Sequence, residues 1–165
     1  MRPKKYLYLI FLLAALPLAV FAESDINGWR KAKWGMTFSK VKKIYDINRW
    51  EPGNPPICKM KKRVKIMGRD FAVAFYFDER SPSGKLYKVV LVHFSAEKMD
   101  SSWLNAIKEI LVEKYGNPDA FDITDNMKIS RWAKAEGQLK LTTSGGKSSM
   151  CAIEYLAVRN ESEKL

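Results

Sequence analysis

The sequence predicts an α+β fold: a tandem α-β-β-β repeat forming one antiparallel sheet, with two helices packed on one face. Three observations predict it. Two segments, near 38–45 and 103–115, carry apolar residues at helical spacing. Each is followed by three runs of strand character separated by Gly- or Pro-containing turns. Each half, about 29–95 and 100–159, is too small to bury a good core alone, so the halves are expected to share one sheet. At 165 residues the chain has the length of one ordinary domain.

Arg2, Lys4 and Lys5 open the chain. Residues 6–21 are uncharged, almost wholly apolar and broken only by Pro17. Val20-Phe21-Ala22 offers a small-residue cleavage site, and Glu23, Ser24 and Asp25 follow at once. This layout predicts a secretory signal peptide over 1–22. The apolar stretch is shorter than the roughly 20 residues a membrane-spanning helix needs. An uncleaved N-terminal anchor is the alternative. The expectation is therefore an exported protein, periplasmic or secreted, with one domain over 23–159 and a charged tail over 160–165.

Thr37 is the expected N-cap of the first helix, with Met36 and Val41 at the two staple positions. Phe38, Val41, Ile44 and Tyr45 fall on one face. Residues 52–56 form a Pro-rich loop, and 58–67 read as a strand crowded with Lys59, Lys61, Lys62, Arg63 and Lys65. Gly68 and Arg69 are expected to make the turn. Along 71–77, Phe71, Val73, Phe75 and Phe77 share one face. A loop over 80–84 leads to a third strand at 86–94.

Asp100 or Ser101 opens the second helix, whose stripe is Trp103, Leu104, Ile107, Ile110, Leu111 and Tyr115. Gly116 suits the position after the last turn, and Pro118 stops continuation. Strands at 127–134, 138–143 and 149–158 complete the second half. In an oxidising compartment the two cysteines, Cys58 and Cys151, are expected to pair as a disulfide. The chain-entropy model gives such a long loop about 4–5 kcal/mol as an upper figure. Two free buried thiols are the alternative.

Gly35-Met36-Thr37 followed by Val41, with Gly116-Asn117-Pro118 and Trp132 in the second half, resembles a known group. It is similar to the small exported modules typified by the outer-membrane assembly lipoprotein BamE and the beta-lactamase inhibitor protein. It also resembles uncharacterised exported bacterial proteins that begin with a Trp-Gly-Met segment. The resemblance implies a binding or scaffolding module without catalytic residues. The chain has no lipidation cysteine after its expected cleavage site, which departs from the BamE type.

Motifs for chemistry are sparse. Gly145-Gly146-Lys147-Ser148 ends like a phosphate-binding loop, but Leu141 stands where the first Gly belongs, and a strand rather than a helix follows. Ser39 and Lys42 match Ser-x-x-Lys without the partner motifs of penicillin-recognising enzymes. One His and two Cys leave almost no material for a multi-ligand zinc site or a c-type haem. No cofactor and no metal are expected. His93 could work as an acid or base only beside a carboxylate, Asp78 or Glu79 being candidates, which would make a small hydrolase.

Charge is the strongest functional signal. Residues 23–69 hold 13 Lys+Arg against 4 Asp+Glu, whereas 70–165 hold 13 against 14. The whole excess of the mature chain lies in its first third. Lys40, Lys43, Lys61, Lys62 and Arg63 are the expected anion- or partner-binding face. The expected partner is an acidic protein or an anionic envelope component, and nucleic acid is not expected. Protection of an exposed sheet edge by the same charges is the alternative. Inhibition of a secreted or periplasmic enzyme is a further reading, requiring a sheet face with exposed aromatics such as Tyr76 and Tyr155.

Overall fold

A computed structural model describes residues 25–158, except Arg49, Gly53, Asp125, Gly146 and Lys147. The expected signal peptide over 1–22, the charged tail and Lys147 of the glycine turn lie outside the described residues. The element order is β1 (Gly28–Trp29), β2 (Ala32–Lys33), α1 (Phe38–Ile44), β3 (Ile57–Lys59), β4 (Val64–Ile66), β5 (Arg69–Phe77) and β6 (Leu86–Ser95). Then come α2 (Ser101–Tyr115), β7 (Ala120–Thr124), β8 (Met127–Ala133), β9 (Gly137–Ser144) and β10 (Ser149–Ala157). β1 and β2 form a small hairpin. The other strands form one antiparallel sheet in the order β3-β5-β6-β10-β9-β8-β7, with β4 also on β5. This is the expected α+β class.

Local chemistry sets the helix ends. The Thr37 hydroxyl accepts from the Lys40 N–H at 3.3 Å. The Asp100 carboxylate accepts from the Ser102 N–H at 2.9 Å, so Asp100 is the N-cap of α2. Gly116 ends α2 at φ +79°, a conformation that favours glycine.

Three details differ from expectation. The strand over 58–67 is two pieces. Lys59 pairs with Ala74 and Val64 with Phe71, so the outer chain advances five residues while β5 advances three. The surplus leaves the ladder at residues 60–63 as a bulge-like excursion. The turn after β4 is Met67-Gly68, not Gly68-Arg69. Ile66 pairs with Arg69, and Met67 and Gly68 both have positive φ, the pattern of a two-residue hairpin loop. The second half also carries an extra edge strand, β7.

Cross-strand register assigns the faces. Val73, Leu91, Ile153 and Leu141 lie side by side across β5, β6, β10 and β9, and all are buried. Phe71, Phe75 and Phe77 share this face of β5 and are also buried. Phe38 of α1 meets Phe77 and Tyr45 meets Phe75, while Trp103 of α2 stacks on Phe71. Both helices therefore cover the same face. Trp103 sits beside Phe71 and His93 on β5 and β6. At the other end of α2, the carbonyl of Gly116 accepts from the Trp132 indole on β8. The helix thus crosses the sheet diagonally. Among the described residues, no helix is long and apolar enough to cross a membrane.

Candidate functional site

The basic first third folds around α1 and the β3–β4 edge. Val41 is buried and Phe38 stacks on Trp50, which turns Lys40, Lys42 and Lys43 outward. The chain leaving α1 then runs along the outer side of β3. Lys61 N–H donates to the Asp46 carbonyl at 3.0 Å, Asn48 N–H to Lys59 at 2.7 Å and Glu51 N–H to Ile57 at 2.8 Å. This closes the β3 edge and ties the end of α1 to the 60–63 excursion. Lys62 and Arg63 are exposed on that excursion, next to the tie.

Charge pairing divides the cluster. Lys59 meets Glu51 at 3.3 Å and Lys61 meets Asp46 at 2.7 Å. Lys61, expected in the binding face, is therefore partly neutralised. Lys40, Lys43, Lys62 and Arg63 make no ion pair with described residues. The nearby tryptophans serve the core: Trp29 is buried and Trp50 is half-buried between Phe38 and Phe77.

The expected Cys58–Cys151 disulfide is not formed: both cysteines are free and buried. Cys58 lies on β3 and Cys151 on β10, with β5 and β6 between them. Three inter-strand spacings amount to roughly 14 Å, about twice the reach of a disulfide. Burial pushes the Cys58 thiol up to about 11, with Glu51 adding to the shift. Burial alone pushes Cys151 up to about 12, against the pull of Arg69. Both thiols stay protonated at neutral pH and are not poised as nucleophiles.

His93 is likewise not brought to the acids considered for it. It lies on the helix-covered face, opposite Cys151, packed beside Phe71 and Trp103, and its Nδ1 is 3.0 Å from the Asp70 carbonyl. Asp78 and Glu79 follow the far end of β5, about 20 Å away along the strand. Asp78 accepts from the Lys85 N–H at 2.6 Å. Glu79 is held below the usual carboxylate range by hydrogen bonds from Ser81 and Ser83. Among the described residues, no group of three or more His, Cys, Asp or Glu could hold a metal ion.

The face without helices carries a different arrangement. Glu154 of β10 lies between Lys88 of β6, at 2.7 Å, and Lys140 of β9, at 2.5 Å. Burial alone would raise the Glu154 carboxyl, but the two lysines outweigh it and hold the group below its ordinary range. Tyr76 lies on this face under the Lys88 ammonium. Tyr155, expected to share an exposed aromatic face with it, points the opposite way. It is buried on the helix-covered face, beside Tyr115 at the end of α2.

A groove that the sequence reading missed opens between α2 and strands β7–β9, with a volume of about 630 Å³. Its floor includes Phe121, Ile123 and Leu141, and its helix side includes Leu104 and Lys108. The groove follows from the diagonal of α2. At its C-terminal end the helix meets β8 through Gly116 and Trp132, but at its N-terminal end it sits over β5 and β6. The end of the sheet near Lys128 and Thr143 is left without that cover. The alternation of Phe121 and Ile123 is a strand signal in the sequence, but the expected elements leave residues 119–126 unassigned. The chain matches no family model, no curated protein and no solved structure.

Proposed function

We propose that the protein is an exported, non-enzymatic binding or scaffolding module that meets an acidic protein or an anionic envelope surface through a basic corner. The corner consists of Lys40 and Lys43 on α1 with Lys62 and Arg63 on the β3–β4 excursion. The carrying observation is that these four cations have no carboxylate partner among the described residues. Edge protection explains Lys62 and Arg63, which flank the short open strand β4, but not Lys40 and Lys43, which stand on a helix. Clustered cations attract anionic surfaces in a salt-dependent way. Export rests on the layout of residues 1–22. The reading also takes residues 29–95 and 100–159 as repeats of one unit. The order β3-β5-β6 facing β10-β9-β8 supports this, with β7 as an addition. The resemblance of Gly35-Met36-Thr37 to exported assembly modules belongs to the same reading.

The test is retention on envelope fractions by the folded chain and by a variant with Lys40, Lys43, Lys62 and Arg63 changed to Glu. All four side chains are exposed, so the variant keeps the fold. Retention is expected to fall at least tenfold. Unchanged retention would refute the basic corner as the binding face.

A further inference from the structure

We infer that the groove between α2 and β7–β9 binds a single-chain amphiphile, an acyl chain carrying a carboxylate or phosphate head. The groove is independent of the basic corner. Its volume of about 630 Å³ lies within the range of small-molecule sites, roughly 300–1,000 Å³. Two of its apolar side chains are open to solvent beside the buried Leu141: Phe121 is 48% exposed and Ile123 66%. An exposed apolar cluster in a concave site is a binding feature rather than ordinary surface.

The charge of the lining selects the head. Lys98, Lys108 and Lys128 line the groove, and no described Asp or Glu does. None of the three makes an ion pair with a described residue. Lys108 holds its ammonium 5.2 Å from the centre of the Phe121 ring, where the apolar wall meets the cationic rim. Lys128 pairs across the ladder with Ile123 and with Thr143, so another cation stands directly beside the apolar floor. On α2, Ser101, Leu104, Asn105 and Lys108 share one helix face by their spacing, and all four line the groove. A chain laid on Phe121, Ile123 and Leu141 would place its head among these lysines.

The backbone decides between an acyl chain and a peptide. The groove floor is a sheet face: the N–H and C=O groups of β8 and β9 are spent in the ladder, and the unpaired groups of the edge strand β7 point outward in the sheet plane rather than into the floor. A peptide lying on it would bury backbone polar groups without partners, which is costly. An acyl chain has no such groups.

The test is calorimetric titration of the folded protein with sodium dodecanoate and dodecyl phosphate, each below its micelle-forming concentration. One-to-one binding of either head is expected, with no heat from acetate or inorganic phosphate. Ile123→Glu, at an exposed edge position, is expected to weaken binding at least tenfold while the circular dichroism spectrum is unchanged. Changing Lys98, Lys108 and Lys128 together to Gln is expected to weaken dodecanoate about tenfold and leave dodecanol unaffected. The charge-reversed basic-corner variant is expected to bind dodecanoate like the parent, which separates this site from the proposed envelope face. The inference is overturned if the parent fails to bind either amphiphile, if either groove variant binds dodecanoate as tightly as the parent, or if hexaglutamate displaces dodecanoate at equal concentration.

Discussion

The Trp132 indole donates its N–H to the carbonyl of Gly116 at 2.7 Å, joining β8, the strand next to the sheet edge, to the end of α2. Trp132 is fully buried, and Gly116 sits at φ +79° just beyond the last helical turn. The bond satisfies a carbonyl that a helix end leaves without an internal partner. Trp132→Phe keeps most of the apolar contact and removes the donor. It is expected to cost about 1–2 kcal/mol, because the half-buried Gly116 carbonyl loses its partner. Trp132→Ala also empties the site and is expected to cost about 3–5 kcal/mol. Urea unfolding of the two variants separates the hydrogen bond from the packing.

Glu154 gives the sheet an acid-sensitive element. Its folded carboxyl lies below its ordinary value because Lys140 and Lys88 outweigh the effect of burial. Its contribution is therefore complete above the unfolded carboxyl value, about 4.3, and is lost as pH falls through the depressed folded value. Glu154→Gln is expected to lower stability at pH 7 by about 1–3 kcal/mol, with the lysines left facing a neutral amide. Below pH 4.3 the gap between parent and variant is expected to close. A gap that stays constant from pH 7 to pH 2 would contradict the assignment.

The thiols make a simple prediction. Two free thiols per chain are expected on titration in denaturant, including after air exposure of the folded protein, because Cys58 and Cys151 are buried on separate strands. Addition of a reductant is expected to leave the unfolding midpoint unchanged. A lowered midpoint would mean that the cysteines pair and that the sheet order is wrong.

Gly28 is predicted to resist substitution. Its φ is +143°, and an added Cβ would meet the Ala32 carbonyl oxygen at 2.1 Å. Gly28→Ala is expected to cost about 1–3 kcal/mol from strain in the β1–β2 hairpin, visible as a lowered thermal midpoint. Gly145→Ala is the control, because nothing lies within 4 Å of the added methyl.

Features that depend on neighbouring residues were legible in the sequence. Thr37 and Asp100 cap their helices, Gly116 ends α2, and the aromatic side of β5 faces the core. Features that depend on strand order were not. Whether Cys58 meets Cys151, or Tyr76 and Tyr155 share a face, is fixed by which strands are neighbours and in what register. Neither is written in local spacing. β7 was missed because every one of its side chains is exposed, so its alternation matched no core stripe. The charge excess was visible by counting, but the loss of Lys61 to Asp46 needed the return of the chain along β3. The groove was beyond reach because the crossing direction of α2 creates it.

The central claim is an anionic partner held through Lys40, Lys43, Lys62 and Arg63. Its most direct measurement is retention of the folded protein on envelope fractions along a salt gradient, beside the charge-reversed variant. The account predicts retention at low salt that falls steeply as salt rises and is at least tenfold weaker in the variant. Retention by both proteins that ignores salt would contradict it.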